Sequence, residues 1–423
     1  MTTDQLYELF LNCNGISTDT RSIEEGNLFF CLKGDNFDGN DYASEALLKG
    51  AKNVIIDNHN LDNSNFIKVD NVLNSLQLLS SYHRSKLKNT TFIALTGSNG
   101  KTTTKELITN VLRKEFKTSS TIGNLNNHIG VPLTLLKIKK DSEFAIIEMG
   151  ANHIGEIAFL TNLIKPDLGY ITNFGKAHLE GFGGLNGVIK GKSELYNWLI
   201  KNDKPVLINT SDKKQINFIN SKSITFGIKN DANYIFKKNN FGDFISVLHK
   251  KVEINSNLIG DYNFDNITSA ISLGLYFDIN INSIKNAIEN YIPKNNRSEI
   301  LFNNEKKIIL DAYNANPTSM SLAIDSFLKI EGSKALILGD MFELGEYSNK
   351  EHQKIINRLE KENNKTFFVG NEFYKLKKKS NKVLFFKDKK DLIKKIFNQK
   401  IIEKNILIKG SRGMKMEEIV DHI

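Results

Sequence analysis

The sequence predicts an α/β protein built from more than one mostly parallel sheet. Short, continuous apolar runs recur along the whole chain, and each ends in a polar or glycine residue. Helical patterns alternate with these runs, the arrangement of βαβ units. The 423 residues also exceed what one hydrophobic core supports, so two or three domains are expected.

Residues 1–86 carry the runs Leu28–Leu32, Val54–Ile56 and Phe66–Val69 among helical stretches and hold no phosphate motif. They are expected to form a small α/β domain. Residues 87–296 open with the buried run Phe92–Leu95, a glycine turn and a helical pattern from Thr103 to Phe116. The runs Phe144–Ile147, Leu168–Ile171 and Val206–Ile208 follow, which predicts a central, P-loop-type, mostly parallel sheet. Residues 297–423 repeat the habit at Ile308–Leu310, Ala335–Leu338, Phe367–Val369 and Ile406–Ile408, a smaller Rossmann-like doubly wound domain. Pro293 and the pair Asn295-Asn296 mark the joint, and no solenoid repeat is present.

Composition narrows the class. Hydrophobic residues at 40% and charged residues at 25% are ordinary for a globular protein, and five prolines argue against long disordered linkers. The N-terminus lacks the basic and apolar regions of a signal peptide. No apolar run reaches the ~20 residues needed to cross a bilayer. Cys13 and Cys31 are too few for a disulfide framework or metal cluster. A cytoplasmic protein without membrane insertion is expected, and nothing demands more than a monomer. The net charge of +9 is scattered. Its densest run, Lys375–Lys379, lacks interleaved aromatics and reads as a solvated face rather than a nucleic-acid site.

The glycine turn carries most information. Gly97-Ser98-Asn99-Gly100-Lys101-Thr102-Thr103 lies between a strand and a helix, where backbone N–H groups and the helix dipole bind phosphate. Lys101 would reach the outer phosphates of a nucleotide, and the Thr102 hydroxyl would sit on magnesium. The common P-loop has glycine five residues before Gly100; this chain has Leu95. Glu148 ends the run Phe144–Ile147, where a further magnesium ligand or a mere strand-end acid could stand. His178 follows another strand in the loop Asn173–Glu180; a lone histidine is more often structural. Lys192, in Gly191-Lys-Ser-Glu-Leu-Tyr196 near the start of a helical stretch, is by itself an ordinary helix lysine. Asp311, in Asp311-Ala-Tyr-Asn-Ala-Asn-Pro317, could hold a ribose or a cation; its asparagines also suit turns. Lys409-Gly-Ser-Arg-Gly413 could hold an anion or form a tight turn.

Together these segments resemble the Mur ligases, in collinear order over nearly the whole chain. They resemble above all the type that adds D-alanyl-D-alanine to UDP-N-acetylmuramoyl-tripeptide. The N-terminal section carries Ser17-Thr-Asp-Thr-Arg21 and Lys33-Gly-Asp-Asn-Phe-Asp-Gly39, similar to the family's UDP-binding segment. Asn40 stands where the family often has histidine. Gly123–Leu133, Glu148–His153 and Gly260–Asn266 continue the likeness. The pair Asp311–Pro317 and Leu338-Gly-Asp-Met-Phe-Glu-Leu-Gly345 is particular to this type. The glycine turn is shared by the whole superfamily, including folylpolyglutamate synthases.

The resemblance implies an ATP-dependent amide-bond-forming ligase of peptidoglycan synthesis, working through an acyl phosphate. It implies that Lys101, Glu148, His178 and Lys192 are catalytic. By the same likeness Lys192 would be carbamylated, and two Mg2+ ions would be held by Thr102, Glu148, His178 and that carbamate. Gly97 to Thr103, Asn266, Arg297 and Asp311 would bind ATP. Ser17, Thr20, Arg21, Lys33, Asn126, Asn127, Asn152, His153, Asn314 and Asn316 would touch the UDP-peptide or the incoming dipeptide. The alternatives at this stage are another ligase of the superfamily, a P-loop kinase or NTPase, and a basic nucleic-acid-binding protein.

Overall fold

The computed structural model describes residues 1–303, 305–378, 380 and 382–423, so Lys379 of the lysine run lies outside the described residues. Backbone packing divides the chain into two compact units. One comprises Met1–Leu95, Phe116–Ala151 and Glu156–Gly169; the other comprises Thr96–Glu115, Asn152–Gly155 and Tyr170–Ile423.

In the first unit, strands Ile16–Ser17, Leu28–Phe30, Asn53–Ile56 and Phe66–Lys68 form a parallel four-stranded sheet. Alternation sorts its side chains. Leu28, Phe30 and Ile55 pack on one face with Leu6, Phe10, Leu76 and Leu79. Phe29, Val54 and Ile56 pack on the other with Ala43 and Ala46. Asn40, at the position where the family often has histidine, is only 2% exposed. Its amide donates to Asp38 Oδ1 at 2.6 Å and Asp57 Oδ1 at 2.8 Å and accepts from the Asp57 and Asn58 N–H groups. It is therefore a fully satisfied strut of the fold. The same unit pairs Thr91–Thr96, Phe144–Glu148 and Thr118–Ser120 in parallel, with Leu95 opposite Glu148.

In the second unit, Val206–Asn209, Ile224–Gly227 and Tyr234–Ile235 pair in parallel. With Leu168–Ile171 and the preceding strands they complete a seven-stranded sheet. Its order is Tyr234–Ile235, Ile224–Gly227, Val206–Asn209, Leu168–Ile171, Thr91–Thr96, Phe144–Glu148, Thr118–Ser120. A three-stranded antiparallel sheet, Lys237–Phe241, Phe244–His249 and Val252–Ile259, is an addition that the apolar runs do not announce. Lys237–Asn240 are all exposed, and polar residues such as Ser246, Glu253, Asn255 and Asn257 break up the other two strands, so no continuous apolar run marks them. The last sheet has six strands in the order Glu299–Asn303, Lys306–Asp311, Asn405–Lys409, Lys334–Gly339, Lys365–Val369, Val383–Phe386. Five are parallel and the first is an antiparallel edge, as a doubly wound domain requires.

Two helices differ from expectation. The helix after the glycine turn spans Lys101–Leu112, not Thr103–Phe116, because Gly100 already supplies its left-handed N-cap. The helix bearing Lys192 starts at Leu185, so Lys192 lies at its middle. Gly191 sits inside that helix because a Cβ there would meet the Phe182 ring at 2.5 Å. Close packing, rather than chain termination, accounts for that glycine. No helix among the described residues is long and apolar enough to cross a membrane. In the lysine run, Lys375 pairs with Glu372 at 2.5 Å, and Lys378 with Glu360 at 3.5 Å.

Candidate active site

The phosphate turn is built by exclusion. Gly97 has φ of 141°, and a Cβ on it would fall 1.9 Å from the Thr172 hydroxyl. Gly100 has φ of 80°, and a Cβ there would lie 2.5 Å from Asn266 Oδ1. Only glycine satisfies both the torsions and the approach. The next strand end braces the turn. Ser98 N–H donates to the Asn173 carbonyl at 3.0 Å, and its hydroxyl donates to the Gly175 carbonyl at 2.8 Å. Asn99 N–H donates to Asn173 Oδ1 at 3.2 Å, and its carbonyl accepts from Thr172 Oγ1 and Asn173 Nδ2. Lys101 folds its Nζ onto the Gly97 carbonyl at 2.8 Å. Thr102 is buried and Thr103 half-buried on the first helical turn. Asn266 accepts from the Thr104 hydroxyl at 3.0 Å and donates to Asn263, which places it beside the helix start.

Glu148 is 2% exposed. One carboxylate oxygen accepts from Asn126 Nδ2 at 2.8 Å; the other, Oε2, is buried and meets no hydrogen-bond donor. A buried carboxylate oxygen without a partner costs on the order of 1–3 kcal/mol or more, which a cation would offset. Glu148 therefore fits a magnesium ligand, and Asn126 fits the residue that orients it. Asn127 is exposed and accepts from the Ile129 and Gly130 N–H groups.

Lys190 is exposed, whereas Lys192 is 1% exposed, with Nζ 5.1 Å from the Phe182 ring centroid. Tyr196, one turn on, pins the helix to the sheet. Its hydroxyl donates to the Leu207 carbonyl at 2.5 Å and accepts from the Ile171 N–H at 3.0 Å. Burial holds that phenol strongly towards its neutral form. The buried Ser193 hydroxyl beside Lys192 has no hydrogen-bond partner. His178 caps the short helix Leu179–Phe182 with φ of 52°. Its Nδ1 bonds the Glu343 carboxylate, which that bond holds below the usual carboxylate range. Asn152 and His153 are exposed, near Gly181. Among the described residues, no group of three or more His, Cys, Asp or Glu is placed to hold a metal. The donors named here are of mixed type, and Thr and Lys supply half of them.

The C-terminal segments meet the glycine turn. Asn316 caps the helix Pro317–Leu328 through Ser319 N–H and donates from Nδ2 to Asn99 Oδ1 at 2.6 Å. Thr318 Oγ1 accepts from Lys176 N–H at 2.9 Å, and Lys176 Nζ pairs with Glu351 at 2.8 Å. Asn314 is exposed. Asp311 and the 2%-exposed Lys409 form an ion pair at 2.5 Å. Arg412, the cation that the last motif offers to an anion, instead pairs with Glu417 at 2.5 Å. In the N-terminal section, Ser17 is buried and Thr20 half-buried; Arg21 is exposed and pairs with Asp19 at 2.6 Å. Lys33 pairs with Asp57 at 2.9 Å.

Sequence reasoning missed a cavity of about 590 Å3 over the carboxyl ends of four strands of the six-stranded sheet. Asp340, Glu343, Glu372 and Lys387 line it, together with Glu180 and Met414. Burial raises the Asp340 carboxyl even though it accepts the Glu372 and Phe373 N–H groups. The motif Leu338–Gly345 was the available signal, since it supplies one wall.

Sequence models of three domains match the chain: "Mur ligase family, catalytic domain" at residues 12–80, "Mur ligase middle domain" at 95–274, and "Mur ligase, glutamate ligase domain" at 296–412. The UDP-N-acetylmuramoyl-tripeptide–D-alanyl-D-alanine ligase of Bacillus subtilis is 34% identical, covering 96% of this chain and 92% of its own. Its Escherichia coli counterpart is 33% identical, with 97% and 93% covered. Among solved structures, MurF from Acinetobacter baumannii superposes with a TM-score of 0.88 at 27% identity, covering 99% and 98% of the two chains. MurF from Thermotoga maritima in complex with ADP superposes with 0.84 at 25% identity, covering 98% and 97%.

Proposed function

The chain belongs to the Mur ligase family, and we propose that it is the member that joins D-alanyl-D-alanine to the peptide carboxylate of UDP-N-acetylmuramoyl-tripeptide. ATP drives the reaction, which is a step of peptidoglycan synthesis. The observation that carries this reading is near-complete, collinear similarity at 33–34% identity to two ligases bearing that name. The glycine turn before Lys101 supports ATP as the second substrate, as does the likeness to an ADP-bound relative.

A peptide carboxylate is a poor electrophile, and its charge repels both nucleophile and phosphate. Transfer of the γ-phosphoryl group onto it gives an acyl phosphate with a good leaving group. Lys101 and the N–H groups of Gly100 to Thr103 hold the phosphates and offset their charge during transfer, in a turn shaped by Gly97, Ser98 and Asn99. Magnesium, held by Thr102 and Glu148 and by His178 and a carbamate on Lys192, would supply further charge neutralisation there. The dipeptide amine then attacks the acyl carbon, and phosphate leaves. Asn266, Arg297 and Asp311 serve the nucleotide in this reading. Ser17, Thr20, Arg21 and Lys33 serve the UDP end, and Asn126, Asn127, Asn152 and His153 the peptide. In the same reading Asn314 and Asn316 serve the dipeptide, for which the cavity walled by Asp340–Leu344 has room. Its acidic wall suits an ammonium group, and Lys387 suits a carboxylate. Sections 1–86, 87–296 and 297–423 would divide this work in a cytoplasmic monomer.

The test is ADP release in the presence of ATP and the UDP-linked tripeptide. D-alanyl-D-alanine should support turnover, while L-lysine, meso-diaminopimelate and D-glutamate should not. Turnover with a free amino acid alone would assign the chain to another branch of the family. ADP release without any amine would favour an NTPase.

A further inference from the structure

Arg297 lies in a segment with an unusual backbone. Asn295, Asn296 and Ser298 have φ of 61°, 59° and 53°, a left-handed conformation that asparagine tolerates and serine rarely adopts. Neighbours hold Asn296 and Ser298 in place. The Asn296 carbonyl accepts from Tyr313 N–H at 3.0 Å. Asn296 N–H donates to Glu299 Oε2 at 3.0 Å, and Ser298 N–H donates to Asp311 Oδ1 at 3.2 Å. The Ser298 hydroxyl lies 2.8 Å from that of Tyr262. Asp311 Oδ2 is in turn gripped by Lys409. The segment is thus stapled to the loop Asp311–Asn316, and Arg297 leaves the backbone in a fixed direction. Its guanidinium carbon lies 3.5 Å from the centroid of the Tyr313 ring.

We propose that Tyr313 is a positioning residue that holds the Arg297 guanidinium flat, with its N–H edge presented to the nucleotide phosphates. The proposal rests on the reading of Arg297 as a nucleotide-binding residue. A carboxylate partner would occupy the N–H donors that a phosphate needs. An aromatic face engages only the plane of the cation and leaves the in-plane donors for bidentate contact. It also orders in advance a long side chain that would otherwise lose its rotamer freedom on binding.

The test uses the full chain with Tyr313→Leu, Tyr313→Phe, Arg297→Ala and the double variant Arg297→Ala/Tyr313→Leu. The readouts are KM for ATP, KM for the dipeptide, and the Kd of the β,γ-imido ATP analogue. Tyr313→Leu should weaken analogue binding and raise KM for ATP by about tenfold, within the range of one cation–π contact, with KM for the dipeptide unchanged. Tyr313→Phe should stay within about twofold of the parent, because the ring and not the hydroxyl acts. The double variant should be no weaker than Arg297→Ala alone. If the leucine variant does not fold, Tyr313→Met replaces it with a similar volume. Three results would overturn the proposal: unchanged nucleotide binding in Tyr313→Leu when Arg297→Ala is impaired, equal damage from Phe and Leu, or additive losses in the double variant. Unchanged nucleotide binding in Arg297→Ala would instead remove Arg297 from the nucleotide site, and the proposal with it.

Discussion

Replacing Lys192 by alanine is expected to reduce ligation by roughly 10²–10⁴-fold, the range typical of deleting a positioned catalytic group. The expectation rests on placement rather than on the lysine itself. The side chain is 1% exposed, from a helix locked to the sheet by Tyr196 and packed through Gly191 against Phe182. A surface helix lysine would give an effect within experimental error, and Lys190 supplies that control two residues away. The proposed role makes a further demand. If Lys192 works as a carbamate, a short carboxylate in solution should restore part of the lost rate in Lys192→Ala and none in the parent. Lys192→Arg should not be rescued, because its side chain fills the space. Full activity of Lys192→Ala would remove Lys192 from the site.

Glu148→Ala is the second large effect. Glu148 is 2% exposed with one oxygen on Asn126 and the other unpartnered, so its removal should not collapse the fold. It relieves a buried charge and leaves only the Asn126 amide to rearrange. The melting temperature should stay level or rise, while acyl-phosphate formation falls by about 10³-fold. A catalytic loss accompanied by unfolding, or a rise in dipeptide KM with normal acyl-phosphate formation, would assign Glu148 a different role.

Much of the architecture was legible because parallel strands buried on both faces write themselves as continuous apolar runs. Phe92–Leu95, Leu168–Ile171 and Ile406–Ile408 all fall inside observed strands. The antiparallel strands from Lys237 to Ile259 escaped notice because alternating residues such as Glu253 and Asn255 interrupt the apolar signal. The glycine turn could be read from local order alone, since strand, glycine and helix are neighbours in sequence. Lys192, Tyr313 and Lys409 could not: each acquires its setting from a partner that the fold brings to it, Phe182, Arg297 and Asp311. Lys409 is the clearest instance. Its motif offered Arg412 as the functional cation, yet Arg412 pairs locally with Glu417, while Lys409 is buried against Asp311, 98 residues away.

The central claim is that the γ-phosphoryl group passes through the peptide carboxylate. It is tested most directly by labelling that carboxylate of the UDP-linked tripeptide with oxygen-18 and analysing the inorganic phosphate released during ligation. One labelled oxygen should appear in the phosphate for each amide bond formed, because the bond from carboxylate oxygen to phosphorus survives while the acyl carbon–oxygen bond breaks. Phosphate free of the label, with ligation proceeding at its normal rate, would contradict the account.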